Sequence, residues 1–250
     1  MRKISLTSEK TTPGFACDAI VLAGGKGTRL APVISHVPKP LAPVFERPFL
    51  DYLIDHLAGS GAVSRIVLAL GHLSDKVVQH YQANPAALPL DYSIEAEPLG
   101  TGGALLHALD QVESDAVLVC NGDSIVAADI FKLLDQHRAS GAAATLTLVT
   151  VSDVARYGSV HVQGNHITKL VEKSARGGFG FINAGLYVFK KARLSEFASG
   201  PCSLERDLLP RMVDAGEVRA FMANGPFLDI GLPETYSAAE KFFDDWHATE

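Results

Sequence analysis

A glycine-rich stretch with nearby cations follows the first apolar run of this 250-residue chain. Residues 24–29 read Gly-Gly-Lys-Gly-Thr-Arg, and Lys39 comes ten residues after Arg29. Glycines let the backbone approach a ligand closely, and successive backbone N–H groups can form an anion-binding nest. Arg29 and Lys39 would add mobile positive charge. The pattern predicts a phosphate-binding loop, although a tight glycine turn with two solvated cations has the same composition.

Two familiar phosphate loops do not fit this stretch. Lys26 is followed by Gly27 instead of Ser or Thr, which excludes a Walker loop. Leu30 stands where a dinucleotide-binding fingerprint needs its third glycine. Residues 24–48 contain five prolines and little regular pattern. Because irregular connections longer than roughly 12–15 residues in a compact domain are usually functional or disordered, a different phosphate-binding loop is predicted.

Two aspartates each follow a short apolar run. Asp123 ends Cys-Asn-Gly-Asp after the run at 116–120, and Asp229 ends Pro-Phe-Leu-Asp shortly before Gly231. The carboxyl edge of a parallel sheet is where α/β folds bind ligands. Mg²⁺ is typically held by one or two carboxylates together with substrate phosphates and water. Taken alone, each aspartate is more often a turn former or a helix cap.

Apolar runs alternate with helix-length amphipathic segments through the first half of the chain. Buried strands are predicted at 19–23, 65–70 and 116–120, and helices at 49–57, 101–109 and 130–140. This alternation predicts an α/β fold with a doubly wound, mostly parallel, Rossmann-like sheet. Later strands are predicted at 145–151, 159–163, 167–172 and 182–189, with a hairpin turn at Gly164-Asn165 and helices at 203–215 and 233–247. The closely spaced later strands indicate an antiparallel extension.

Composition excludes several classes of protein. Acidic residues outnumber basic residues by 28 to 22, giving a net charge of −6, so a broad basic face for nucleic acid is not expected. No apolar run reaches the ~18 residues of a membrane span, and the N-terminal residues lack the apolar region of a signal peptide. The three cysteines form no CxxC pair, which disfavours zinc and disulfide frameworks. A cytoplasmic protein without nucleic-acid or membrane partners is predicted.

Several motifs together resemble those of the sugar-1-phosphate nucleotidylyltransferases. Residues 22–30, Leu-Ala-Gly-Gly-Lys-Gly-Thr-Arg-Leu, are followed by Pro38-Lys39-Pro40. Three further segments match in order: Glu-Pro-Leu-Gly-Thr-Gly-Gly-Ala at 97–104, Asn-Gly-Asp at 121–123 and Asp-Ile-Gly at 229–231. The resemblance extends over residues 18–243. Within the family it is greatest to the D-glycero-α-D-manno-heptose 1-phosphate guanylyltransferases, with mannose-1-phosphate guanylyltransferases near by.

The resemblance implies transfer of a nucleoside monophosphate to a sugar 1-phosphate with release of pyrophosphate. GTP is the expected donor, D-glycero-α-D-manno-heptose 1-phosphate the expected acceptor, and Mg²⁺ the expected cofactor. Alternatives within the same chemistry are a mannose-1-phosphate guanylyltransferase and a uridylyl- or thymidylyltransferase for glucose-type or amino sugars. An alternative of another class is a catalytically silent regulatory subunit that senses nucleotide sugars. The sequence does not decide between heptose and hexose.

The resemblance also assigns roles to individual residues. The catalytic set is Arg29, Lys39, Asp123 and Asp229, and the metal ligands are Asp123 and Asp229. The nucleotide-binding set is Leu22, Ala23, Gly24, Gly25, Gly27, Thr28, Arg29, Lys39, Glu95, Gly100, Thr101 and Asp123. The set that binds the sugar phosphate is Tyr157, Gly158, Glu172, Lys173, Asn183 and Asp229. No general base is needed, because a sugar phosphate is already an ionised nucleophile.

Glu95 is the residue that bears on the choice of base. The Watson–Crick edge of guanine presents two adjacent N–H donors that one carboxylate can accept together. Uracil and thymine present one donor between two acceptors, so a carboxylate would face lone-pair repulsion. The related segment of thymidylyl enzymes tends to carry Gln, which both donates and accepts. Glu95 therefore favours GTP, and Glu97 is a rival for the same role.

The polar composition of the N-terminal residues predicts a flexible leader, and the resemblance implies one nucleotidyltransferase domain after it. The leader is expected at 1–18 and the domain at 19–250. Within the domain, residues 19–145 are expected to bind the nucleotide and residues 146–250 the sugar phosphate. A homodimer is compatible with the sequence, but no exposed apolar stripe identifies an interface.

Overall fold

The computed structural model describes residues 16–30, 32–34, 37–171, 173, 177–197 and 200–247. The strands in this part of the chain are β1 Cys17–Leu22, β2 Pro43–Val44, β3 Arg47–Pro48, β4 Val63–Leu70, β5 Leu90–Ile94, β6 Ala116–Asn121, β7 Ser124–Val126, β8 Ala144–Val151, β9 Ser159–Gln163, β10 His166–Val171, β11 Gly180–Lys190, β12 Val218–Met222 and β13 Phe227–Asp229. The α-helices there are α1 Phe49–Gly59, α2 Ser74–Ala83, α3 Gly100–Ala108, α4 Ile130–Ser140, α5 Lys191–Phe197, α6 Leu209–Asp214, α7 Pro233–Tyr236 and α8 Ala239–His247.

The first half of the chain forms the parallel part of a nine-stranded sheet. Its strands lie in the order β5-β4-β1-β6, and every neighbouring pair is parallel. Successive residues of β1 enter cores on opposite faces of the sheet. Ala19 and Val21 pack on the side of α1, α4 and α8, whereas Ile20 packs on the side of α3 and α6. A strand covered on both faces needs an uninterrupted apolar run, which is why β1 was readable from the sequence. The predicted doubly wound α/β fold is confirmed.

The second half of the chain extends the same sheet. Strand β11 runs antiparallel between β6 and β8, β12 then lies parallel to β8, and β10 and β9 complete the edge as an antiparallel pair. The predicted extension is therefore antiparallel except at the β8–β12 pair. Outside this sheet, β7 and β13 form a separate two-stranded antiparallel ribbon that spans about a hundred residues of sequence.

Several predicted elements differ in their bounds from the observed ones. β1 begins at Cys17, inside the expected leader, and residues 1–15 lie outside the described part of the chain. The expected helix at 203–215 starts as a π-helical segment, Leu204–Leu208, before α6. Pro210 has no N–H to close an α-helical bond there. The expected helix at 233–247 is divided into α7 and α8.

Several elements were not predicted from the sequence. They are α2, α5, β2, β3, β5, β7 and β12. β5 is largely half-buried at the edge of the sheet, so it lacks the continuous apolar run of its neighbours. No helix among the described residues is both long enough and apolar enough to cross a membrane.

Gly185 lies at a bend in β11 that leaves room for the side chains of Asn121 and Ser124. The register between β11 and β8 shifts between Asn183 and Tyr187, and Gly185 itself has φ +74°. A Cβ atom at Gly185 would lie 2.7 Å from the Ser124 hydroxyl and 2.8 Å from the Asn121 amide nitrogen. The glycine is therefore required both by its backbone conformation and by the two side chains above it.

Gly185→Ala should be more destabilising than the same change at Gly141. Gly141 also has a positive φ, +65°, but a Cβ atom there would meet nothing within 4 Å. We expect Gly141→Ala to lower the free energy of unfolding by about 1 kcal/mol, the cost of the left-handed conformation. Gly185→Ala should cost about 1–3 kcal/mol more, because its Cβ overpacks the site. Equal losses in urea denaturation would contradict this account of the bend.

Candidate active site

A cavity of about 540 Å³ opens at the carboxyl ends of β1, β4, β5 and β6. Ten of the predicted nucleotide-binding residues line it: Leu22, Ala23, Gly24, Gly25, Arg29, Lys39, Glu95, Gly100, Thr101 and Asp123. Its other lining residues are Lys26, Pro40, His72, Pro98, Ala104, Asn121, Gly122 and Glu205. The predicted residues Gly27 and Thr28 belong to the same loop but do not line the cavity. Parallel strands thus bring together segments that lie far apart in sequence.

The glycine-rich loop is fixed at its base by backbone hydrogen bonds to the neighbouring strands. The Ala23 N–H donates to the Ala69 carbonyl at 2.8 Å, and the Gly122 N–H donates to the Leu22 carbonyl at 2.9 Å. Beyond this base the loop is open, because a Cβ atom at Gly25 would meet nothing within 4 Å. Arg29 is exposed at the cavity wall. The loop therefore presents backbone groups and the exposed Arg29 guanidinium to the cavity, as a phosphate site requires.

Lys39 points into the same end of the cavity and pairs with Asp123. It begins a short 3₁₀ turn, Lys39–Leu41, directly after Pro38. Its side chain is only 11% exposed, and its ammonium donates a hydrogen bond to Asp123 Oδ2. The proline-rich segment, for which no helix was predicted, thus places the largely buried Lys39 ammonium near the end of β6.

The β7–β13 ribbon places Asp229 beside Asp123. Asp229 stands opposite Ser124 in the ribbon, and the Ile230 N–H donates to the Asp123 carbonyl at 2.9 Å. Burial and the negative charge of Asp123 raise the pKa of Asp229, and the Gly231 N–H and the Lys39 ammonium offset part of this rise. The two predicted metal ligands are therefore close enough to interact electrostatically.

The Asp123–Asp229 pair fits a hard divalent cation. Lys39 is the cation paired with Asp123, so the two carboxylates retain an excess of negative charge. Among the described residues no group of three or more His, Cys, Asp or Glu side chains could hold a metal ion. Mg²⁺ is commonly bound by one or two carboxylates plus substrate phosphates, and this donor set has that composition.

Glu95 lies at the other side of the glycine-rich loop. Its Oε2 accepts a hydrogen bond from the Leu99 N–H at 3.0 Å. Its Oε1 lies close to the backbone of Gly24 and Gly71. If these glycines carried a Cβ atom, that atom would lie 3.2 Å from Oε1 at Gly24 and 2.5 Å from it at Gly71. The two glycines therefore make room for the carboxylate. Glu97 is exposed and does not line the cavity, so of the two rivals only Glu95 is part of the cavity wall.

Tyr157 and Gly158 lie on the Asp229 side of the molecule. The Tyr157 ring meets the Phe227 ring edge to face with centroids 5.8 Å apart, and Phe227 lies two residues before Asp229. The Arg156 guanidinium lies 5.2 Å from the centre of the Tyr157 ring. Burial raises the pKa of the Tyr157 hydroxyl; Arg156 lowers it and the charge of Asp229 adds to the rise. Tyr157 is therefore near one of the two predicted metal ligands.

The remaining residues predicted to bind the sugar phosphate, Asn183, Lys173 and Glu172, do not form one group in the described structure. Asn183 donates to the Tyr187 hydroxyl at 2.8 Å and accepts from the Gly185 N–H at 3.0 Å, so its amide shapes the bend of β11. Lys173 is exposed and makes no hydrogen bond or ion pair with any described residue. The structure does not bring it together with the cavity residues, and Glu172 lies outside the described part of the chain.

The cavity contains side chains that were not assigned roles from the sequence. Lys26 and Asn121 belong to the glycine-rich and Asn-Gly-Asp motifs, so the sequence pattern alone could have predicted their positions. His72 follows the end of β4, and the strand-end logic used for Asp123 would have found it. Glu205 comes from the π-helical segment more than eighty residues after β6. No local pattern indicates that this glutamate reaches the cavity.

Comparisons with known proteins agree with this geometry. The family model described as "Nucleotidyl transferase" matches residues 18–245. The D-glycero-α-D-manno-heptose 1-phosphate guanylyltransferase of Aneurinibacillus thermoaerophilus is 33% identical over 225 residues, which cover 90% of this chain and 97% of that relative. The mannose-1-phosphate guanylyltransferase of Mycobacterium tuberculosis is 33% identical over 224 residues, which cover 88% of this chain and 62% of that relative.

Solved structures give the same result. HddC from Yersinia pseudotuberculosis is similar with a TM-score of 0.82 and 36% identity, covering 91% of this chain and 99% of that one. The structure of the same protein complexed with GMP-PN gives a TM-score of 0.81. The chain belongs to the nucleotidyl transferase family, and the resemblance inferred from its motifs is confirmed. It is an enzyme of that class.

Asp229→Asn should stabilise the metal-free protein at mildly alkaline pH. Because the pKa of Asp229 is raised, the folded chain holds this proton more tightly than the unfolded chain. The resulting contribution to stability is present at acid pH and is lost as the pH rises through the raised pKa. Asparagine removes the charge and keeps an oxygen for the Gly231 N–H. We expect a gain in Tm of the order of 2 °C at about pH 8 in EDTA, shrinking towards about pH 4.

The matched control for this measurement is Asp135→Asn on the exposed face of α4. It removes a charge from an exposed position and should change Tm at about pH 8 much less than Asp229→Asn does. A lower Tm for Asp229→Asn than for wild type at about pH 8 without metal would contradict the assignment.

Proposed function

We propose that this enzyme is a sugar-1-phosphate guanylyltransferase that transfers GMP from GTP to D-glycero-α-D-manno-heptose 1-phosphate and releases pyrophosphate. The observation that carries the proposal is that the glycine-rich loop, Lys39, Asp123 and Glu95 line one cavity, and that Asp229 lies beside Asp123. Such a cavity suits a ligand with a polyanionic end and an end that donates hydrogen bonds. GTP has both.

The phosphate end of the cavity accounts for the chemical step. An oxygen of the sugar phosphate attacks the α-phosphorus of GTP, the bond from that phosphorus to the bridging oxygen breaks, and pyrophosphate leaves with the electron pair. Catalysis of this kind depends on positioning and charge more than on covalent participation by the protein. Arg29, Lys39 and the loop N–H groups would hold the departing phosphates. The nucleophile is already ionised, so no side chain has to remove a proton.

Asp123 and Asp229 are the residues that would hold Mg²⁺. When bound, the ion supplies positive charge where two phosphate groups must approach each other. The buried Asp229 carboxyl would favour its charged form once a cation is present, which reverses the effect of Asp123 on its pKa. Arg29, Lys39 and Asp123 line the cavity and Asp229 lies beside Asp123, which favours an active enzyme over a silent regulatory subunit.

The acceptor sugar is proposed from the relatives. The heptose 1-phosphate guanylyltransferase relative matches over 97% of its own length. Mannose 1-phosphate is the alternative acceptor, because a mannose-1-phosphate guanylyltransferase shows the same 33% identity to this chain. The two sugars differ by one hydroxymethylene group, so the same phosphate and guanine contacts would serve both.

The direct test is pyrophosphate release from a panel of substrates. GTP, UTP and dTTP are each combined with the 1-phosphates of D-glycero-α-D-manno-heptose, mannose and glucose in the presence of Mg²⁺. We expect the highest kcat/KM for GTP with the heptose 1-phosphate. Asp123→Asn should lower turnover at least about 100-fold, since it removes a charge that acts on the reacting phosphates.

Asp135→Asn serves again as the surface control and should retain full turnover. Consumption of UTP or dTTP in preference to GTP would refute the guanylyl assignment. Unchanged turnover in Asp123→Asn would refute the metal site while leaving the substrate assignment open to the same panel.

Glu95→Gln should change which base the enzyme prefers. Glutamine keeps an oxygen for the Leu99 N–H but presents a donor where guanine also donates. We expect the ratio of kcat/KM for GTP to that for UTP to fall about 10–100-fold, as a lost bidentate pair implies. Glu97→Gln is the matched control on the exposed neighbour and should leave the ratio unchanged. The same ratio in Glu95→Gln and wild type would show that another group reads the base.

A further inference from the structure

Glu205 is a carboxylate in the active-site cavity for which the proposed reaction has so far supplied no role. It lies in the π-helical segment Leu204–Leu208 and is half-buried. This segment packs on the N-terminal end of α3, so Glu205 lines the cavity beside Gly100 and Thr101. π-Helical insertions are rare and frequently occur at functional sites. The position of Glu205 in this segment and in the cavity is typical of a residue that contacts a ligand.

The backbone around Glu205 is held firmly against α3. The Cys202 N–H donates to the Leu99 carbonyl at 2.9 Å. The Cys202 carbonyl in turn accepts from the Gly102 N–H at 2.9 Å and from the Gly103 N–H at 3.1 Å. Cys202 is therefore hydrogen-bonded to residues both before and after the start of α3. The location of Glu205 is thus set by the fold and not by a free loop.

Two hydroxyl groups orient the Glu205 carboxylate. Thr101 donates to Glu205 Oε2 at 2.9 Å while its own oxygen accepts from the Leu204 N–H at 2.8 Å. The Ser203 hydroxyl donates to the same Oε2 at 3.2 Å. Oε1 accepts no hydrogen bond from any residue that the structure describes. One oxygen is therefore anchored and the other is left to accept from a ligand.

The charge of Glu205 restricts what this ligand group can be. Among the described residues, no Lys or Arg forms an ion pair with Glu205, in contrast to Asp123 with its Lys39 partner. An unneutralised carboxylate repels phosphate groups, so Glu205 would not contact the phosphates themselves. A carboxylate accepts hydrogen bonds well from neutral hydroxyl groups. The substrates carry such groups on the acceptor sugar and on the ribose.

Glu205 lines the cavity together with Asn121 and Asp123, and the buried Tyr187 hydroxyl lies next to this part of the wall. The pKa of the buried Tyr187 hydroxyl is raised by burial first and by the charge of Glu205 next, and the charge of Asp123 contributes as well. The same hydroxyl is bonded by Asn183 at 2.8 Å and by Asn121. Glu205 is therefore close to the hydrogen-bonded group of Asn183, Tyr187 and Asn121. Glu95, by contrast, lies against Gly24 and Gly71. This placement favours the acceptor sugar over the nucleoside.

We propose that Glu205 accepts hydrogen bonds from hydroxyl groups of the sugar 1-phosphate and so helps to determine which sugar is used. The inference rests on the proposed function, because it needs a sugar phosphate in this cavity. Thr101 is the positioning residue that fixes the carboxylate. Glu205 acts in recognition and takes no part in breaking or forming bonds at phosphorus.

Glu205→Gln tests the inference in the full-length enzyme. Glutamine keeps an oxygen for Thr101 but loses the charge that binds a hydroxyl strongly. With GTP, Mg²⁺ and mannose 1-phosphate as probe, we expect the KM for the sugar phosphate to rise about 10-fold or more and the KM for GTP to stay within about 3-fold. Asp207→Asn is the matched control: it removes a charge from the same segment and keeps an oxygen for the Ser203 N–H, which Asp207 accepts at 2.7 Å. Asp207→Asn should leave both KM values unchanged.

Monodeoxy analogues of mannose 1-phosphate distinguish recognition from a structural role. Wild type should lose about 10-fold or more in kcat/KM with at least one analogue, and Glu205→Gln should lose little further with that analogue. Equal sensitivity of both proteins to every analogue would overturn the inference. Loss of discrimination against 2′-deoxy-GTP or 3′-deoxy-GTP instead would assign Glu205 to the ribose and would overturn it as well.

Calorimetric binding separates this inference from the proposed reaction. Affinities for GDP-mannose and for GDP are measured with wild type and Glu205→Gln, without turnover. Weaker binding of GDP-mannose with unchanged binding of GDP supports Glu205 as a sugar contact, even if the substrate panel shows no transfer. An unchanged ratio of the two affinities overturns it, even if the panel shows the expected transfer.

Discussion

Two carboxylates that share one largely buried lysine are the constraint on which the rest of the site depends. Asp123 and Asp229 repel each other, and the ammonium of Lys39 neutralises only part of their charge. A substrate with several phosphate groups adds more negative charge to this place. The arrangement therefore suits a ligand set that includes a further cation, as proposed for Mg²⁺. The repulsion between the two carboxylates costs stability, and a bound cation would relieve it, in agreement with the proposed catalytic role.

The fold brings these three groups together from distant parts of the chain. Asp123 follows β6, Lys39 begins the turn after Pro38, and Asp229 ends β13. The short β7–β13 ribbon sets the two aspartates side by side without adding to the main sheet. The bend of β11 at Gly185 leaves space beneath them for Asn121 and Ser124. The turn at Lys39, the β7–β13 ribbon and the bend at Gly185 thus all lie near the carboxyl end of β6.

The sequence predicted the parts of the molecule that depend on local pattern. Continuous apolar runs identified β1, β4 and β6 because both faces of these strands are covered, and α4 was predicted with the observed bounds. Motif spacing selected the residues that meet in the cavity. The π-helical start of the segment before α6 and the role of Glu205 depend on contacts with α3, which no local pattern encodes. Glu95 lines the cavity whereas Glu97 is exposed, and this difference depends on the path of the chain after β5, so the sequence left both open.

The most direct test of the central claim is a crystal structure with Mn²⁺, which stands in for Mg²⁺ and is located by its anomalous signal, and with a non-hydrolysable GTP analogue. The account predicts a metal peak within coordination distance of carboxylate oxygens of both Asp123 and Asp229, phosphates against the glycine-rich loop, and guanine at Glu95. A metal bound away from Asp229, or a nucleotide whose base lies beside Asp123, would contradict it.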